Sequence, residues 1–346
     1  MTWVPLLLTD PSPNLRLLVL SELLHRPDDD EEVQELLQLR EKDPIVESLI
    51  KTQLPDGSWS SVDLTGKASS KGNLQSTSQA LVRLGYLGYD KDHEIVRKAA
   101  NYIFSKQKTD NSWPIPTTRK GPFEEIRGYD MIPLQVATPL EGLAACGYST
   151  DKRAEKAYEW LMEQRLDDGT WSTGTASGVY GGVGGYRKIP HSRWGCRSST
   201  IATLNCLAYH PTRSKSSIAK RALDLILGCE TKQKNLLGFV ISRLIGLEES
   251  RGWRTYYPKM DAAHILSLCW KIGASSEDER ISELIDFVKD EQGKYGMWEC
   301  SLHPQASRWL TFDLLLSLSN LSEETDWFST EPRTPFQEYP KKMKRF

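Results

Sequence analysis

A single turn motif recurs along this chain and limits its folds more than any other feature. Gln53-Leu-Pro-Asp-Gly57-Ser-Trp59 returns as Gln107-Lys-Thr-Asp-Asn111-Ser-Trp113, as Gln164-Arg-Leu-Asp-Asp-Gly169-Thr-Trp171 with one extra residue, and as Gln292-Gly-Lys-Tyr-Gly296-Met-Trp298. A degenerate copy, Ser250-Arg-Gly252-Trp253, lacks the glutamine. The five tryptophans stand 54, 58, 82 and 45 residues apart, so the period is irregular and its largest insertion follows Trp171. A repeat of this size implies one supersecondary unit used several times, each unable to bury its apolar face alone.

Two kinds of segment alternate between the turns. One kind ends at the glutamine and is charged and amphipathic, spanning 31–53, 92–107, 151–164, 216–230 and 277–292. In 92–107, Ile95, Ala99, Tyr102 and Ile103 recur at helical spacing while Arg97, Lys98 and Lys106 take the other face, as a half-exposed helix requires. The other kind carries few charges and runs to a glycine or polar stop: 15–25, 74–85, 134–147, 198–210, 262–273 and 308–320. Its members must bury more of their circumference. Six buried helices against five or six exposed ones can close into two concentric rings or stack into an open superhelix, and buried-type helices at both chain ends favour closure. No alternating β pattern is long enough to build a sheet. The reading is one all-α domain over 1–321 and a polar tail over 322–346 that ends in the basic Lys341-Lys-Met-Lys344-Arg345-Phe346.

Composition narrows the function classes. A formal charge of -2 argues against nucleic acid as a partner. No apolar run suits a transmembrane segment or a signal peptide, so a cytoplasmic chain is expected, with at most peripheral membrane contact. Six scattered cysteines without a CxxC pair read as reduced core thiols. The glycine run 174–185 follows no strand and reads as a loop over one ring face. Asp28-Asp-Asp30-Glu-Glu32 reads as the acidic start of an exposed helix.

The Gln-x-x-x-Gly-x-Trp turn, set between an outer amphipathic helix and an inner apolar one, resembles the repeat of squalene and oxidosqualene cyclases. More loosely, it is similar to that of protein prenyltransferase β subunits. The resemblance covers about residues 15–320. It implies an (α/α)6 toroid in which the glutamine and tryptophan tie the end of one outer helix to the next turn. It also implies acid-initiated carbocation chemistry on an isoprenoid or lipid-like substrate in a central cavity. The cyclase acid motif Asp-x-Asp-Asp-Thr-Ala aligns best with Cys196-Arg-Ser198-Ser199-Thr200-Ile, where serines replace the aspartates. A serine hydroxyl cannot protonate an alkene.

An acid must then come from elsewhere on the inner wall, where burial can keep it protonated. Asp130, just before an inner helix, Asp261, at the start of another, and Asp313, inside an apolar one, are the expected catalytic residues; N-caps or satisfied ion pairs are the competing roles. Glu141, after Pro139, has the same two readings. Cation-stabilising aromatics are expected among Tyr129, Trp194, Tyr256, Tyr257, Trp309 and Phe312, and anion contacts from Arg193, Arg197, Arg254 and Arg308. The prenyltransferase comparison asks for a metal; His264, Cys300 and His303 are the candidate ligands for zinc or magnesium, without a diagnostic spacing. Two other functions stay open: a non-catalytic toroid that binds a lipid, peptide or protein, and zinc-dependent prenyl transfer.

Overall fold

The computed structural model describes residues 3–60, 73–113, 133–172, 189–190, 192, 194–228, 237–247 and 261–330, with the backbone of 115–116 and 129–130. The outer helices begin on polar caps that satisfy free N–H groups: Asp30 accepts from Glu32 N and Val33 N in α3 (Glu31–Leu39), Asp43 from Ile45 N in α4 (Pro44–Thr52), and Asp151 from Arg153 N in α8 (Lys152–Glu163). Ser216 caps α10 (Ser217–Leu227) and Asp278 caps α13 (Glu279–Asp290) in the same way. With α6 (Glu94–Ser105) these form the exposed ring. The first outer segment, expected as one helix over 31–53, is broken into α3 and α4. Pro44 offers no N–H and disfavours helical geometry at the residue before it, so Asp43 turns from chain continuation to cap.

Inside them stand α2 (Pro13–Leu18, continued to Leu23), α5 (Leu74–Tyr86), α7 (Pro133–Leu143, continued to Tyr148), α9 (Arg197–Ala208), α12 (Ala262–Ile272) and α14 (Ser307–Asn320). Every residue of Pro133–Leu143 is buried, as is nearly all of α9. The inner helices touch in the order α5, α7, α9, α12, α14. Helix α14 then meets both the α2 continuation and the short α1 (Trp3–Leu8). Three contacts seal the ring: Arg308 pairs with Asp10 at 3.2 Å, Tyr86 O–H donates to Asp313 Oδ1 at 2.8 Å, and Arg40 Nη2 donates to the Leu87 carbonyl at 2.7 Å. The protein is therefore an all-α, α/α toroid; its sheet content among the described residues is the two-residue pair β1 (Ile115–Pro116) and β2 (Tyr129–Asp130). Helices α5 and α7 pack closely enough that a Cβ on Gly142 would sit 2.7 Å from the Ser78 carbonyl oxygen, which excludes any larger residue there.

The repeated turn works as a set of hydrogen bonds at fixed offsets. Each tryptophan indole N–H donates to the carbonyl ten residues earlier in its outer helix: Trp59 to Leu49 at 2.9 Å, Trp113 to Ile103 at 2.9 Å, Trp171 to Leu161 at 2.7 Å and Trp298 to Val288 at 2.5 Å. These carbonyls lie in the last helical turn, where backbone donors run short; Leu49 and Ile103 also accept from Gln53 N and Lys106 N, and the indole adds a second donor there. Gln53 and Gln107 each reach two carbonyls, one in their own turn and one in the first turn of the next outer helix, at Ile95 and Arg153. The glutamine thus links successive outer helices directly. The turn needs a left-handed residue, supplied by Gly57, Gly169 and Gly296 and, in the second copy, by Asn111, which tolerates φ of +67°. A further component was not apparent from the sequence. The backbone N–H of Trp59, Trp171 and Trp298 donates to Thr77, Thr200 and Thr311 in the first turns of the following inner helices.

Residues 321–330 do not trail from the ring. They run along α10 and α13, where Trp327 Nε1 donates to Asp278 Oδ2 at 2.9 Å, and Ser329 Oγ and Thr330 N donate to the two oxygens of Asp224. Arg280 joins Asp224 and Asp278 within the same buried cluster. The basic end, the glycine run and the degenerate fifth turn lie outside the described residues.

Candidate active site in the central hollow

The ring encloses a hollow of about 320 Å³. One wall is a short helix, α11 (Phe239–Leu244), from the large insertion after the third turn. It crosses between inner helices: Arg83 Nε of α5 donates to the Leu244 carbonyl at 2.6 Å, and Val240 N donates to Asp261 at the start of α12 at 2.8 Å. Val240, Ile241, Arg243 and Leu244 all face the hollow.

Four carboxyls line this space, Glu22, Glu141, Asp261 and Asp313; of these, Glu141 from α7 and Asp313 from α14 come from opposite sides of the ring. Glu141 is 5% exposed; Asn205 Nδ2 of α9 donates to its Oε1 at 3.1 Å, while Oε2 is buried with no hydrogen-bond partner among the described residues. The other end of the Asn205 amide meets His264 Nε2 of α12 at 2.9 Å. Burial, helped by the Lys271 charge, holds His264 neutral with its pKa down at about 3, so its Nε2 can donate to Asn205 Oδ1 while the amide donates onward to Glu141. Burial pushes the Glu141 carboxyl up to about 8, against the Asn205 hydrogen bond and the charges of Lys271 and Arg243. Its proton therefore belongs on Oε2, the oxygen that no neighbour engages. Asp313 is raised to about 7 by burial, opposed by the Tyr86 hydrogen bond and by Lys271. Lys271 itself is lowered by burial, with Asp313 and Glu141 pulling it back up. Its Nζ lies 4.8 Å from the Tyr209 ring centroid and 5.6 Å from that of Trp270. Tyr86, Tyr209, Trp270 and Phe312 give the hollow its aromatic lining.

The residues singled out in the sequence divide accordingly. Asp313 and Phe312 face the hollow. Asp261 also borders it, but its oxygens accept the backbone N–H groups of Val240 and Ala263, binding α11 to the start of α12; burial raises it to about 6. Trp309 stands behind Tyr86 with ring centroids 5.9 Å apart, and Arg308 is committed to Asp10. Trp194 and Arg197 sit half-buried at the start of α9 and do not line the hollow. Ser198 and Ser199 are buried there, while Thr200 serves the Trp171 turn, so the place of the expected acid motif has a structural role in this chain. Tyr129 and Asp130 contribute backbone to β2, their side chains being outside the description; Tyr256, Tyr257, Arg193 and Arg254 are outside it altogether. His264, Cys300 and His303 do not converge: among the described residues no three His, Cys, Asp or Glu side chains gather as a metal-binding group. His264 turns to Asn205, Cys300 to Ser242 Oγ at 3.4 Å, and His303 precedes the turn into α14. Lys271, Asn205, Tyr86 and Tyr209 were passed over in the sequence. The signal was present for Lys271, a cation in a segment otherwise poor in charge, as it was for Asp313 and Glu141.

No described helix is long and apolar enough to cross a membrane. Residues 23–186, a little under half of the chain, match the family described as the squalene-hopene cyclase C-terminal domain. No curated protein matches. Solved structures that are similar include the type II terpene cyclase MstE from Scytonema without ligand, at 14% identity over 79% of this chain and 94% of that one, with a TM-score of 0.33. The same cyclase in complex with geranylgeranyl dihydroxybenzoate as substrate has 13% identity, the same coverage and a TM-score of 0.33. A protein from Actinoplanes has 14% identity over 80% of this chain and 97% of that one, with a TM-score of 0.32. Through the repeat in the matched stretch and the ring it builds, the chain is terpenoid cyclase-like, similar to the squalene-hopene cyclases in sequence pattern and an α/α toroid in architecture.

Proposed function

We propose that this toroid is a terpenoid cyclase-like isomerase or lyase that starts carbocation chemistry on an isoprenoid held in the central hollow, with Glu141 as the acid. One observation carries the reading: a buried carboxyl whose Oε2 has no hydrogen-bond partner among the described residues, in a side chain that lines an aromatic-walled cavity, with burial pushing its pKa up to about 8. In the first step the Oε2 proton adds to one carbon of an alkene, the π pair becomes the new C–H bond, and the other carbon is left cationic. The Asn205 amide stabilises the carboxylate that forms, and the ring faces of Tyr86, Tyr209, Trp270 and Phe312 stabilise the cation without capturing it. A following double bond closes the ring, and loss of a proton ends the sequence with no net change in formula. Asp313, a carboxyl on the opposite wall, takes up or supplies the proton at that end.

The experiment is incubation of the purified protein with polyprenyl alcohols and acids, followed by mass spectrometric product analysis. Cyclised isomers from the wild type, lost in Glu141→Gln with the fold retained, support the reading; an undiminished Glu141→Gln overturns the assignment of the acid. A second reading, a toroid that holds its ligand without turnover, draws on the buried Ser198 and Ser199 where cyclase aspartates are expected. A bound lipid recovered unchanged would favour it.

A further inference from the structure

Lys271 has an unusual place in the ring. It lies in the last turn of α12, faces the hollow, and has its ammonium over two aromatic rings. Among the described residues its Nζ makes no hydrogen bond and no ion pair, although four carboxyls, Glu22, Glu141, Asp261 and Asp313, line the cavity. The other basic groups of the lining are engaged: Arg83 donates to the carbonyls of Leu244 and Arg243, and Arg243 lies over the Phe239 ring at 5.6 Å. Lys271 is half-buried, and a partly desolvated cation without an ion-pair partner gains when a ligand brings the opposite charge.

We infer that Lys271 is the anchor for a singly charged anionic head group, a carboxylate, so that the ligand of this hollow is an amphiphile with an acidic head and an apolar body. One cation without an ion-pair partner matches one negative charge. A diphosphate would need several cations, and the hollow offers no further basic group that is not already engaged. Of the two carboxyls whose charges act on Lys271, burial pushes Glu141 up to about 8 and Asp313 up to about 7, so near neutrality neither holds the ammonium as strongly as a fully ionised carboxylate would. The volume, about 320 Å³, is at the low end of the roughly 300–1,000 Å³ typical of small-molecule pockets, which favours a short isoprenoid acid over a long polyene. With the head at Lys271 and Asp313, on α12 and α14, the body extends towards Glu141 on α7 across the ring. The inference rests on the reading of the hollow as the ligand site, and it does not require turnover.

The test is calorimetric titration of the intact protein with farnesoate, its methyl ester and farnesol. The expected result is farnesoate binding at least about tenfold more tightly than the ester. Lys271→Met should remove that preference while leaving ester and alcohol binding in place, and Lys271→Arg should keep part of it. Equal affinity of acid and ester for the wild type overturns the anchor but leaves the hollow as a ligand site. Absence of binding by all three probes overturns both. Should Lys271→Met fail to fold, shown by circular dichroism, the wild-type comparison of acid with ester still decides. Repeating the titration on Glu141→Gln separates the two readings, since retained acid preference without turnover supports the anchor whatever becomes of the acid.

Discussion

The Tyr86 hydroxyl donates to Asp313 Oδ1 at 2.8 Å, joining the second inner helix to the sixth across 227 residues of sequence. This bond does two jobs. It closes the toroid on its inner side, and among the described residues it is the one hydrogen bond that opposes the burial of Asp313. Tyr86→Phe is expected to cost about 0.5–1.5 kcal/mol, the net worth of such a bond, measured by urea unfolding at pH 6. It should also raise the Asp313 pKa further, visible as a shift of its carboxyl resonance titration to higher pH.

The carboxyls of the hollow set the sign of the pH dependence of stability. Glu141 has its folded pKa raised to about 8 and Asp313 to about 7, so the folded state holds protons that the unfolded chain releases above about 4.5. Their contribution is complete below that value and is lost as pH rises to their folded pKa values. His264, lowered to about 3, acts oppositely, but only below its unfolded pKa of about 6.5. Between about pH 6.5 and 8 the carboxyl effect therefore dominates this group, and stability should fall with rising pH. Glu141→Gln should flatten the fall and raise the stability at pH 8 by a few kcal/mol, on the order of one pKa unit per 1.4 kcal/mol. An unchanged slope in urea midpoints across this range would contradict the placement of the proton.

The glutamines of the repeated turn are not equivalent. Gln53 bonds both its own turn and Ile95 of the next outer helix, whereas among the described residues Gln292 bonds Gly296 alone. Gln53→Ala should cost about 1–3 kcal/mol and Gln292→Ala about 0.5–1.5 kcal/mol, read from urea midpoints at constant m-value. Trp298→Phe should cost more than Gln292→Ala, because it leaves the Val288 carbonyl buried without its donor.

Removal of residues 322–346 takes away Trp327, Ser329 and Thr330, leaving the Asp224, Arg280 and Asp278 cluster without donors that it uses. Truncation at Leu321 should lower stability by about 2–4 kcal/mol, with Trp327→Phe accounting for about 1 kcal/mol of it. Differential scanning calorimetry of the two variants checks both values.

The sequence by itself determined the alternation of exposed and buried helices, because both features are local. Charge periodicity identifies a half-exposed helix, and charge scarcity over a dozen residues marks one buried on all sides, as α7 and α9 are. The Gln and Trp offsets were legible for the same reason, since the indole bond always spans ten residues. Asp313 was found by the cost of placing a carboxyl in an apolar helix, an argument that applied equally to Glu141 and Lys271. Only the tertiary structure decided which of these charges share a hollow and which partners they have there. Asp261 and Asp313 were both expected as acids, yet one is taken up by the backbone N–H groups of Val240 and Ala263 and the other meets a tyrosine and the cavity. Arg308 stands beside Trp309 in sequence but spends its charge on Asp10, nearly the whole chain away. Ring closure brings such distant residues together, and burial then shifts their protonation. Neither the distances nor the desolvation can be read from spacing along the chain.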